Sequence, residues 1–535
     1  MSSFKPSSRK TLESTSAPCA GLQREAALHP DLWLQRSWTE VHAEISRDEF
    51  WKSFLKSRIL PDSLEDYPIT AYEDYRATLE SSRAQPLSAL TNRPVIWWAK
   101  SSGTSGEKRK LFPVTEALAQ KRRIRRLLSL NGSLRLLRGA SEEFRELRLG
   151  GTSPVTHPET HIPTGHMTAF ERTYLQELSA NQVLPGEIFS DSSTFDAWAS
   201  IFALSTDLTS ITTVTPAKLT WILRDIEANL ERYLSFLSGS RLPPAGIAKP
   251  RIDPQRLKAL RSLPRNRSQS LKVSDLWPSL QLIYTWKTAS GRFLLNDLKP
   301  FLSEEVQVLQ GHFISSESDH ALPSSDPGKD FGPLDLLYGV HEFLKIGDPV
   351  ESGSLKKSWE LEVGSDYEII VTNVMGLVRY RMRDVIQCRG YDEKNPLIEF
   401  KQKLDAYVDL VECRIQYSQL AESLGRAAFD LSATPSGRWV FIPSESRTCL
   451  EFILSESTGG TSTGNPDLIR IDSELQRIHP GYHNLRRVGQ LGPVVLVQCR
   501  TTDPFWKKFP EISAESKPPV LKNLTYAEAS RREEG

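Results

Sequence analysis

A run of small and hydroxyl-bearing residues lies between an apolar strand-like segment and a group of cations, in the stretch 94–115. Small residues allow a ligand to approach the backbone closely, while hydroxyl and N–H groups donate to phosphate oxygens and cations offset the phosphate charge. No Ser or Thr follows a lysine as a Walker loop requires, so a polyphosphate-binding loop of another kind and a flexible turn both stay open. The candidate phosphate ligands are Ser101, Ser102, Gly103, Thr104, Ser105, Gly106 and Lys110.

Two further segments carry a carboxylate that suits nucleotide chemistry. In GHFISSESDH (311–320), Glu317 follows two hydroxyl residues after an apolar run, where a carboxylate either binds Mg²⁺ or is a solvated loop group. In the stretch 366–391, Asp384 ends a strand-like run, where it can accept hydrogen bonds from both hydroxyls of a ribose or form an ion pair. The arginines that compete as its partners are Arg379, Arg381 and Arg383.

The elements that must position these residues form two regions of different character. The chain has 535 residues, well above the usual single domain of about 100–200, so two or more packed units are expected. In the region 31–411, β-rich runs alternate with helical patterns, which is typical of a large α/β domain. In the region 412–535 the pattern restarts as a compact α+β domain, whereas residues 1–30, rich in Ser, Lys and Pro, are predicted to be a disordered leader.

The composition limits the environments and partners of the protein. With 39% hydrophobic residues, 25% charged residues and a formal charge of +1, the chain has no overall attraction for nucleic acid or anionic membranes. Its five cysteines include no C-x-x-C pair, which fits a reducing compartment better than a disulfide framework or a zinc site. Because the first residues lack the apolar core of a signal peptide, we expect a cytoplasmic protein that does not contact membranes or nucleic acid.

The strongest local concentration of charge is the basic, leucine-rich stretch KRRIRRLLSLNGSLRLLRG (121–139). One interpretation is a cationic helix that meets phosphate or an acidic partner. The other is a solvated face of cations opposite a leucine face that packs into the core, and this second interpretation is favoured because it is the common one for such helices.

Taken together and in this order, the three segments are much more specific than any one alone. The chain resembles the auxin-responsive acyl acid amido synthetases of plants, the Gretchen Hagen family, and in particular its microbial-type members. This resemblance extends from about Tyr67 to Val520 and implies the fold of the adenylate-forming superfamily, an α/β fold. In that fold a large multi-sheet N-terminal domain is followed, after a hinge near Arg414, by a smaller mobile α+β domain. The other matching motifs are YPITAYEDY (67–75), LWPSLQLIYTWKTASGRFLLNDLKPFL (276–302), HEFL (341–344), HPGYHNLRRVGQLGPVVLVQC (479–499) and SKPPV (516–520).

The resemblance also implies a binding role for each matched residue of the nucleotide site. The run 101–106 would hold the β- and γ-phosphates of ATP, and Glu317 would lie near the Mg²⁺ that accompanies them. The residues matched to adenine, α-phosphate and ribose contacts are Phe313, Ser315, Ser316 and Asp384.

Catalytic roles follow from the same resemblance, and this chain also departs from the family pattern at several positions. Glu317, Arg414 and Lys517, the last just before a Pro-rich turn, would be the catalytic residues. Phe313 replaces a tyrosine and loses a hydroxyl, while Arg383 replaces a glycine before the ribose aspartate. Arg414 stands where plant members usually carry a lysine, and its guanidinium fork is not equivalent to an ammonium.

The implied activity is that of an ATP-dependent ligase. It would adenylate a small carboxylic acid and transfer the acyl group to an amino acid or amine, using ATP and Mg²⁺ as a monomer. A thioester-forming ligase that uses coenzyme A is the nearest enzymatic alternative. A catalytically reduced homologue that only binds an acyl acid or a nucleotide is the alternative from another class, and Arg383 and Arg414 motivate it.

Overall fold

The computed structural model describes most of both predicted regions. No helix among the residues that the model describes combines the length and apolarity that a membrane crossing requires. The described residues are 8–101, 110–138, 143–150, 155–175, 192–240, 250–263, 270–289, 291–404, 406–427, 439–456, 467–500, 503, 505–506 and 526.

The larger, N-terminal region alternates helices and strands. Its helices are α1 (Arg9–Leu28), α2 (Pro30–Ile45), α3 (Phe50–Phe54), α4 (Tyr72–Ser81), α5 (Glu116–Leu136), α6 (Met167–Tyr174), α7 (Ser192–Ser205), α8 (Pro216–Ser235), α9 (Pro254–Arg261), α10 (Val273–Leu276) and α11 (Gly291–Leu298). Its strands are β1 (Val95–Lys100), β2 (Leu111–Thr115), β3 (Glu146–Leu149), β4 (Val155–Thr156), β5 (Pro163–Gly165), β6 (Ser210–Thr213), β7 (Leu282–Thr285), β8 (Gln307–Gln310), β9 (Phe313–Ile314), β10 (Asp319–Ala321), β11 (Gly332–Pro333), β12 (Val340–Lys345), β13 (Leu355–Lys357), β14 (Asp366–Thr372), β15 (Tyr380–Asp392) and β16 (Asn395–Lys403).

These strands form three larger sheets that meet near the candidate residues. One has the order β2-β1-β5-β4, and a second, of order β3-β6-β7-β8, is parallel throughout. Parallel neighbours need long crossovers, which here contain helices such as α8 between β6 and β7. The third sheet is antiparallel with the order β11-β16-β15-β14-β12-β13, while β9 and β10 pair separately.

The smaller, C-terminal region begins with a hairpin of β17 (Tyr407–Leu410) and β18 (Cys413–Gln416). Val408 and Ile415 of this hairpin belong to the same hydrophobic cluster as Leu420 and Leu475 of the following helices. The transition between the two cores therefore lies between β16 and β17, a few residues before the predicted boundary at 411. The remaining elements are α12 (Tyr417–Arg426), β19 (Trp439–Pro443), β20 (Leu450–Glu456), α13 (Leu468–Ile478), α14 (Pro480–Arg487) and β21 (Val495–Arg500), with the sheet order β19-β20-β21. The predicted fold, α/β with a large and a smaller domain, is confirmed.

The N-terminal segment differs from its prediction, because residues 9–28 form α1 and not a disordered leader. Cys19 and Ala26 are buried on one side of this helix and join the main hydrophobic core. The side chains of Arg9 and Gln23 donate to the carbonyl oxygens of Leu134 and Leu334, at 2.8 and 2.9 Å. Because the composition of this segment is rich in Ser and Lys, the few small apolar residues whose spacing forms the buried face of α1 were not recognised in the sequence.

The basic stretch also differs from the favoured interpretation. It forms α5, and its leucines pack inward as expected, but Arg122, Arg125 and Arg126 are buried as well. Buried guanidinium groups require carboxylate partners, and Glu146, Glu171 and Asp319 supply them from distant parts of the chain. These three arginines of the helix therefore belong to an internal ion network.

Candidate active site

The hairpin of β1 and β2 holds the two ends of the candidate phosphate loop together. The backbone N–H of Ser101 donates to the carbonyl of Lys110 at 2.9 Å, and the N–H of Lys110 donates to Ser101 Oγ at 3.0 Å. Between them, Ser102, Gly103, Thr104, Ser105 and Gly106 lie outside the described residues, so their phosphate-binding role stays a prediction.

The turn 315–318, which follows β9, lies directly against this hairpin. Ser316 Oγ donates to the carbonyl of Lys100, the last residue of β1, at 3.2 Å. Ser315 Oγ accepts the N–H groups of Glu317 and of the next residue, at 3.2 and 2.9 Å. These two hydroxyls therefore shape the turn and join it to the base of the phosphate loop, which positions Glu317 beside that loop.

Lys110, Glu317 and Tyr380 come together at this junction. Lys110 Nζ donates to the Tyr380 hydroxyl at 3.2 Å and lies 5.3 Å from the ring centre of Tyr72. Burial, and secondarily the charge of Glu317, raises the pKa of Tyr380 well above its usual value. Tyr380 therefore stays a neutral hydroxyl beside a cation and a carboxylate, an arrangement suited to a ligand that carries both phosphate and metal.

A single carboxylate beside a phosphate loop suits a magnesium ion that arrives with ATP. Mg²⁺ is usually held by one or two carboxylates together with substrate phosphates and water, and not by an all-protein cage. Glu317 is largely buried, and the described part of the chain contains no group of three or more residues able to hold a metal ion by themselves. Glu317 therefore fits a metal whose remaining ligands come from the nucleotide and water.

Asp384 lies on the same strand as Tyr380, so their Cα atoms are no more than about 14 Å apart. It is 3% exposed, and its Oδ1 atom is 2.5 Å from Nζ of Lys403 on the neighbouring β16. Arg379 and Arg381, considered as partners from the sequence, pair instead with other buried carboxylates. The ribose contact of Asp384 remains a prediction that its position allows.

Arg383 keeps a backbone conformation that favours glycine. Its φ angle is 58°, in the left-handed region, at an irregularity in the pairing of β14 with β15. Its N–H donates to a carboxylate oxygen of Glu368 at 3.2 Å, which holds the bent backbone in place. The departure from the family's glycine therefore changes the side chain and leaves the turn before Asp384 intact.

This conformation leads to a test with two substitutions. We expect Arg383→Gly to be more stable than Arg383→Ala by about 1 kcal/mol, because both remove the same charge but only alanine keeps the left-handed strain. If Arg383 had the negative φ of a regular strand, the alanine variant would be the more stable of the two. The midpoints of thermal unfolding of the two variants compare them directly, and an alanine variant of equal or higher midpoint would contradict the assigned backbone strain.

The ring of Phe313 is packed among other aromatic side chains. It is 5% exposed, and ring centres of His320, Phe400 and Trp286 lie 4.6, 5.1 and 5.6 Å from its own. These contacts give the ring a structural role at the start of the turn. Its contact with adenine stays a prediction.

The remaining predicted catalytic residues are not brought to this junction by any described contact. Arg414 lies on β18 with its side chain 55% exposed, pairs with Asp409 at 2.7 Å and stacks on Tyr407 at 4.2 Å. Lys517 lies outside the described residues. A role for either in catalysis would require movement of the C-terminal region, which stays a prediction.

The sequence did not single out three residues that complete the junction. Tyr380 and Tyr72 contact Lys110, and Asn373 Nδ2 donates to the carbonyl of Glu317 at 2.8 Å. Tyr72 and Tyr380 do lie within segments that carried the resemblance, YPITAYEDY (67–75) and the stretch 366–391. Nothing in local spacing indicates Asn373, because its contact with Glu317 bridges two distant turns.

Comparison with solved structures defines the class of fold. The chain aligns with an acyl acid amido synthetase, AtGH3.15 in complex with 2,4-DB, at a TM-score of 0.75 and 17% identity, covering 97% of this chain and 96% of that one. It aligns with a 2-hydroxyisobutyryl-CoA ligase in the postadenylation state at a TM-score of 0.52 and 10% identity, covering 92% and 89%. The fold is that of the adenylate-forming enzymes.

Sequence comparison narrows the class to a family. Residues 50–308 match the model of the GH3 family N-terminal domain and residues 335–403 that of the GH3 family central domain, so the chain belongs to the GH3 family. A putative indole-3-acetic acid-amido synthetase of Oryza sativa subsp. japonica is 23% identical over 400 residues, 72% of this chain and 79% of that protein. A GH3 domain-containing protein of Homo sapiens is 26% identical over 245 residues, 41% and 43% of the two chains.

Proposed function

We propose that this protein is an ATP-dependent ligase that adenylates a small carboxylic acid and then joins the acyl group to an amino acid or amine. The observation that carries the proposal is the junction of the phosphate-loop hairpin with the turn of Glu317, which gathers Lys110, Glu317 and Tyr380. Asp384, on the strand of Tyr380, is the ribose ligand in this proposal. The relatives named as amido synthetases support the same activity.

The proposed reaction has two steps, adenylation of the acid and transfer of the acyl group to the amine. A carboxylate oxygen attacks the α-phosphorus of ATP, the bond to the bridging oxygen breaks, and pyrophosphate leaves to give an acyl adenylate. A neutral amine then attacks the acyl carbon, AMP departs with the C–O bonding electrons, and the amine loses a proton. Bound Mg²⁺ would neutralise charge on the phosphates, and Glu317 would hold it. Lys110 supplies a fixed cation beside the same phosphates, oriented by the hydroxyl of Tyr380.

A screen of carboxylic acids for ATP–pyrophosphate exchange tests the first step, and mass spectrometry of the products with amino acids or coenzyme A tests the second. Acid-dependent exchange followed by an amide product is the expected result. A thioester formed with coenzyme A, and no amide, would replace the proposal with that of an acyl-CoA ligase. Binding of acids or ATP without any exchange would identify a catalytically reduced homologue.

The proposal includes the C-terminal region as a mobile domain that follows a hinge near Arg414. The exposed position of Arg414 on the first hairpin of that region supports it, since hinges absorb backbone changes at such connections. We further propose that the protein acts as a monomer in the cytoplasm. The five cysteines, all within the described residues, are thiols, which is compatible with a reducing compartment.

Within this proposal Lys517→Ala is expected to slow adenylate formation by at least about tenfold, or about 1.4 kcal/mol of barrier. An ammonium that reaches the α-phosphate only when the small domain closes would act in this half-reaction, so transfer from a supplied acyl adenylate should suffer less. Both half-reactions are measured on one preparation, with Lys522→Ala as the matched control. Equal losses in both steps would indicate general damage to the domain, and no loss would reject the catalytic role.

A further inference from the structure

A cavity of about 90 Å³ opens next to the turn of Glu317, on the side of the parallel sheet. Its wall includes Ile314, which directly precedes that turn, and Trp286 from the loop after β7. One water molecule occupies only about 10–15 Å³ of such space, so the cavity has room for part of a ligand. An acid whose carboxylate reacts beside the turn would therefore extend its other end into this cavity.

The charged groups on the wall of the cavity, Arg126, Arg148 and Glu171, each have a partner of opposite charge. Arg126 bonds to Glu146, and the carboxylate of Glu171 pairs with both Arg125 and Arg148. Burial favours the neutral form of Glu171, but the charges of these two arginines outweigh burial and lower its pKa to about 2. Because Glu171 would repel a second carboxylate and the arginines would repel an ammonium, the wall favours a neutral ligand group.

His312, which lies between β8 and β9, brings a hydrogen-bond acceptor to the same wall. Ser129 Oγ donates its hydrogen to the carbonyl of Arg125 at 2.8 Å, so it accepts from His312 Nε2, which is 2.7 Å away. Burial and the nearby arginines lower the pKa of His312 well below its usual value, so the ring is neutral and carries its proton on Nε2. Its Nδ1 atom therefore has a free lone pair, is buried, and has no hydrogen-bond partner among the described residues.

A hydroxyl group on the ligand would suit both His312 and Arg148. A buried acceptor without a partner has lost its hydration, and a ligand donor would compensate that loss. Arg148 lies on the same wall, near enough for its charge to act on His312. Its contacts with Glu146 and Glu171 are long, 3.4 Å each, so its N–H groups can also donate to a ligand oxygen. A hydroxyl can donate to Nδ1 and accept from Arg148 at the same time, and it adds no charge.

We propose that the acid substrate is a hydroxy acid, whose hydroxyl donates to Nδ1 of His312 in this cavity while its carboxylate reacts with ATP. His312 is then a specificity-determining residue. An acid that lacks the hydroxyl leaves Nδ1 without its ligand donor, and this loss is what distinguishes the two kinds of acid. This inference rests on the proposed function, since it names the class of acid that the same site takes.

The test compares pairs of acids that differ in their ability to donate a hydrogen bond, in the presence of ATP and Mg²⁺. Pyrophosphate exchange by the full-length protein is measured with para-hydroxybenzoate, para-hydroxyphenylacetate and a series of ω-hydroxy fatty acids. Each is paired with the analogue that carries fluorine in place of the hydroxyl, which is similar in size and cannot donate. We expect kcat/KM to be at least about tenfold higher for the best hydroxy acid than for its fluoro analogue. A smaller ratio for every pair, as expected if water satisfies Nδ1, would overturn the inference and leave the proposed function standing, whereas absence of exchange with every acid would overturn both.

Two substitutions of His312 link the preference to Nδ1. His312→Asn places an amide oxygen where Nδ1 lies, whereas His312→Gln places its amide where Nε2 lies and leaves no acceptor at the position of Nδ1. We expect the ratio of kcat/KM between hydroxy and fluoro acid to stay within about threefold of the parent ratio in the asparagine variant and to fall close to one in the glutamine variant. The matched control is His483→Gln, at an exposed histidine of α14, which should keep the parent ratio. A glutamine variant that keeps the ratio, or an equal loss of the ratio in both variants, would overturn the inference, and the comparison of acids on the parent protein needs neither variant to fold.

Discussion

Asp384→Ala is expected to weaken ATP binding by about 100- to 20,000-fold while leaving the protein folded. The loss corresponds to two ribose hydrogen bonds to a charged acceptor at about 1.5–3 kcal/mol each. Asp384 is buried and paired with Lys403, which holds its carboxylate in a fixed position on β15. Titration calorimetry with ATP on the variant and the parent measures the effect.

Lys403→Met is the control that separates ribose binding from a structural role. It breaks the same ion pair from the side of the more exposed partner, Lys403 being 33% exposed, and it leaves the carboxylate of Asp384 in place. If Asp384 serves only to hold Lys403, the two variants will lose ATP affinity equally. ATP affinity unchanged in Asp384→Ala would also reject the ribose contact.

Glu317→Gln is expected to reduce adenylation by at least about a hundredfold, equivalent to about 2.7 kcal/mol, with a much smaller change in ATP binding. A magnesium ligand matters most as charge moves onto the departing pyrophosphate. Glutamine keeps the shape of the side chain, and the backbone bonds that hold the turn do not involve the carboxylate. The variant should therefore fold normally, which separates the chemical effect from unfolding.

The measurement for this variant is pyrophosphate exchange as a function of Mg²⁺ concentration. A higher Mg²⁺ requirement together with a lower maximal rate is the expected signature of a lost metal ligand. Glu305→Gln, a change at an exposed carboxylate before β8, serves as the control. Equal exchange by Glu317→Gln and the parent at saturating Mg²⁺ would assign Glu317 to the solvated loop carboxylates.

Part of the candidate site could be predicted because it depends on short stretches of chain. An apolar strand followed by small hydroxyl residues and cations indicates a loop that phosphates can approach, and this property needs no distant partner. The turn of Ser315 and Glu317 is similarly local, since both hydroxyl contacts within it span two or three residues. The order of such segments along the chain then indicated the family.

Other parts of the site depend on contacts between residues far apart in the chain. Lys403 as the partner of Asp384 follows from the pairing of β15 with β16, and nearby arginines were the obvious alternatives in the sequence. The contact of Asn373 with Glu317 joins two turns 56 residues apart. Local spacing cannot select among several chemically equivalent partners, because the choice is made by the register and packing of whole strands.

The sequence by itself determined the fold class, the division into a large and a small region, and the strand-and-turn segments that carry the candidate ligands, because hydrophobic periodicity and turn chemistry act over short stretches. Tertiary structure alone decided which face of α5 is buried. Three arginines of that helix enter the core because carboxylates on three other elements, at Glu146, Glu171 and Asp319, reach them there. A buried charge is stable only with such partners, and no property of residues 121–139 reveals that partners will be present.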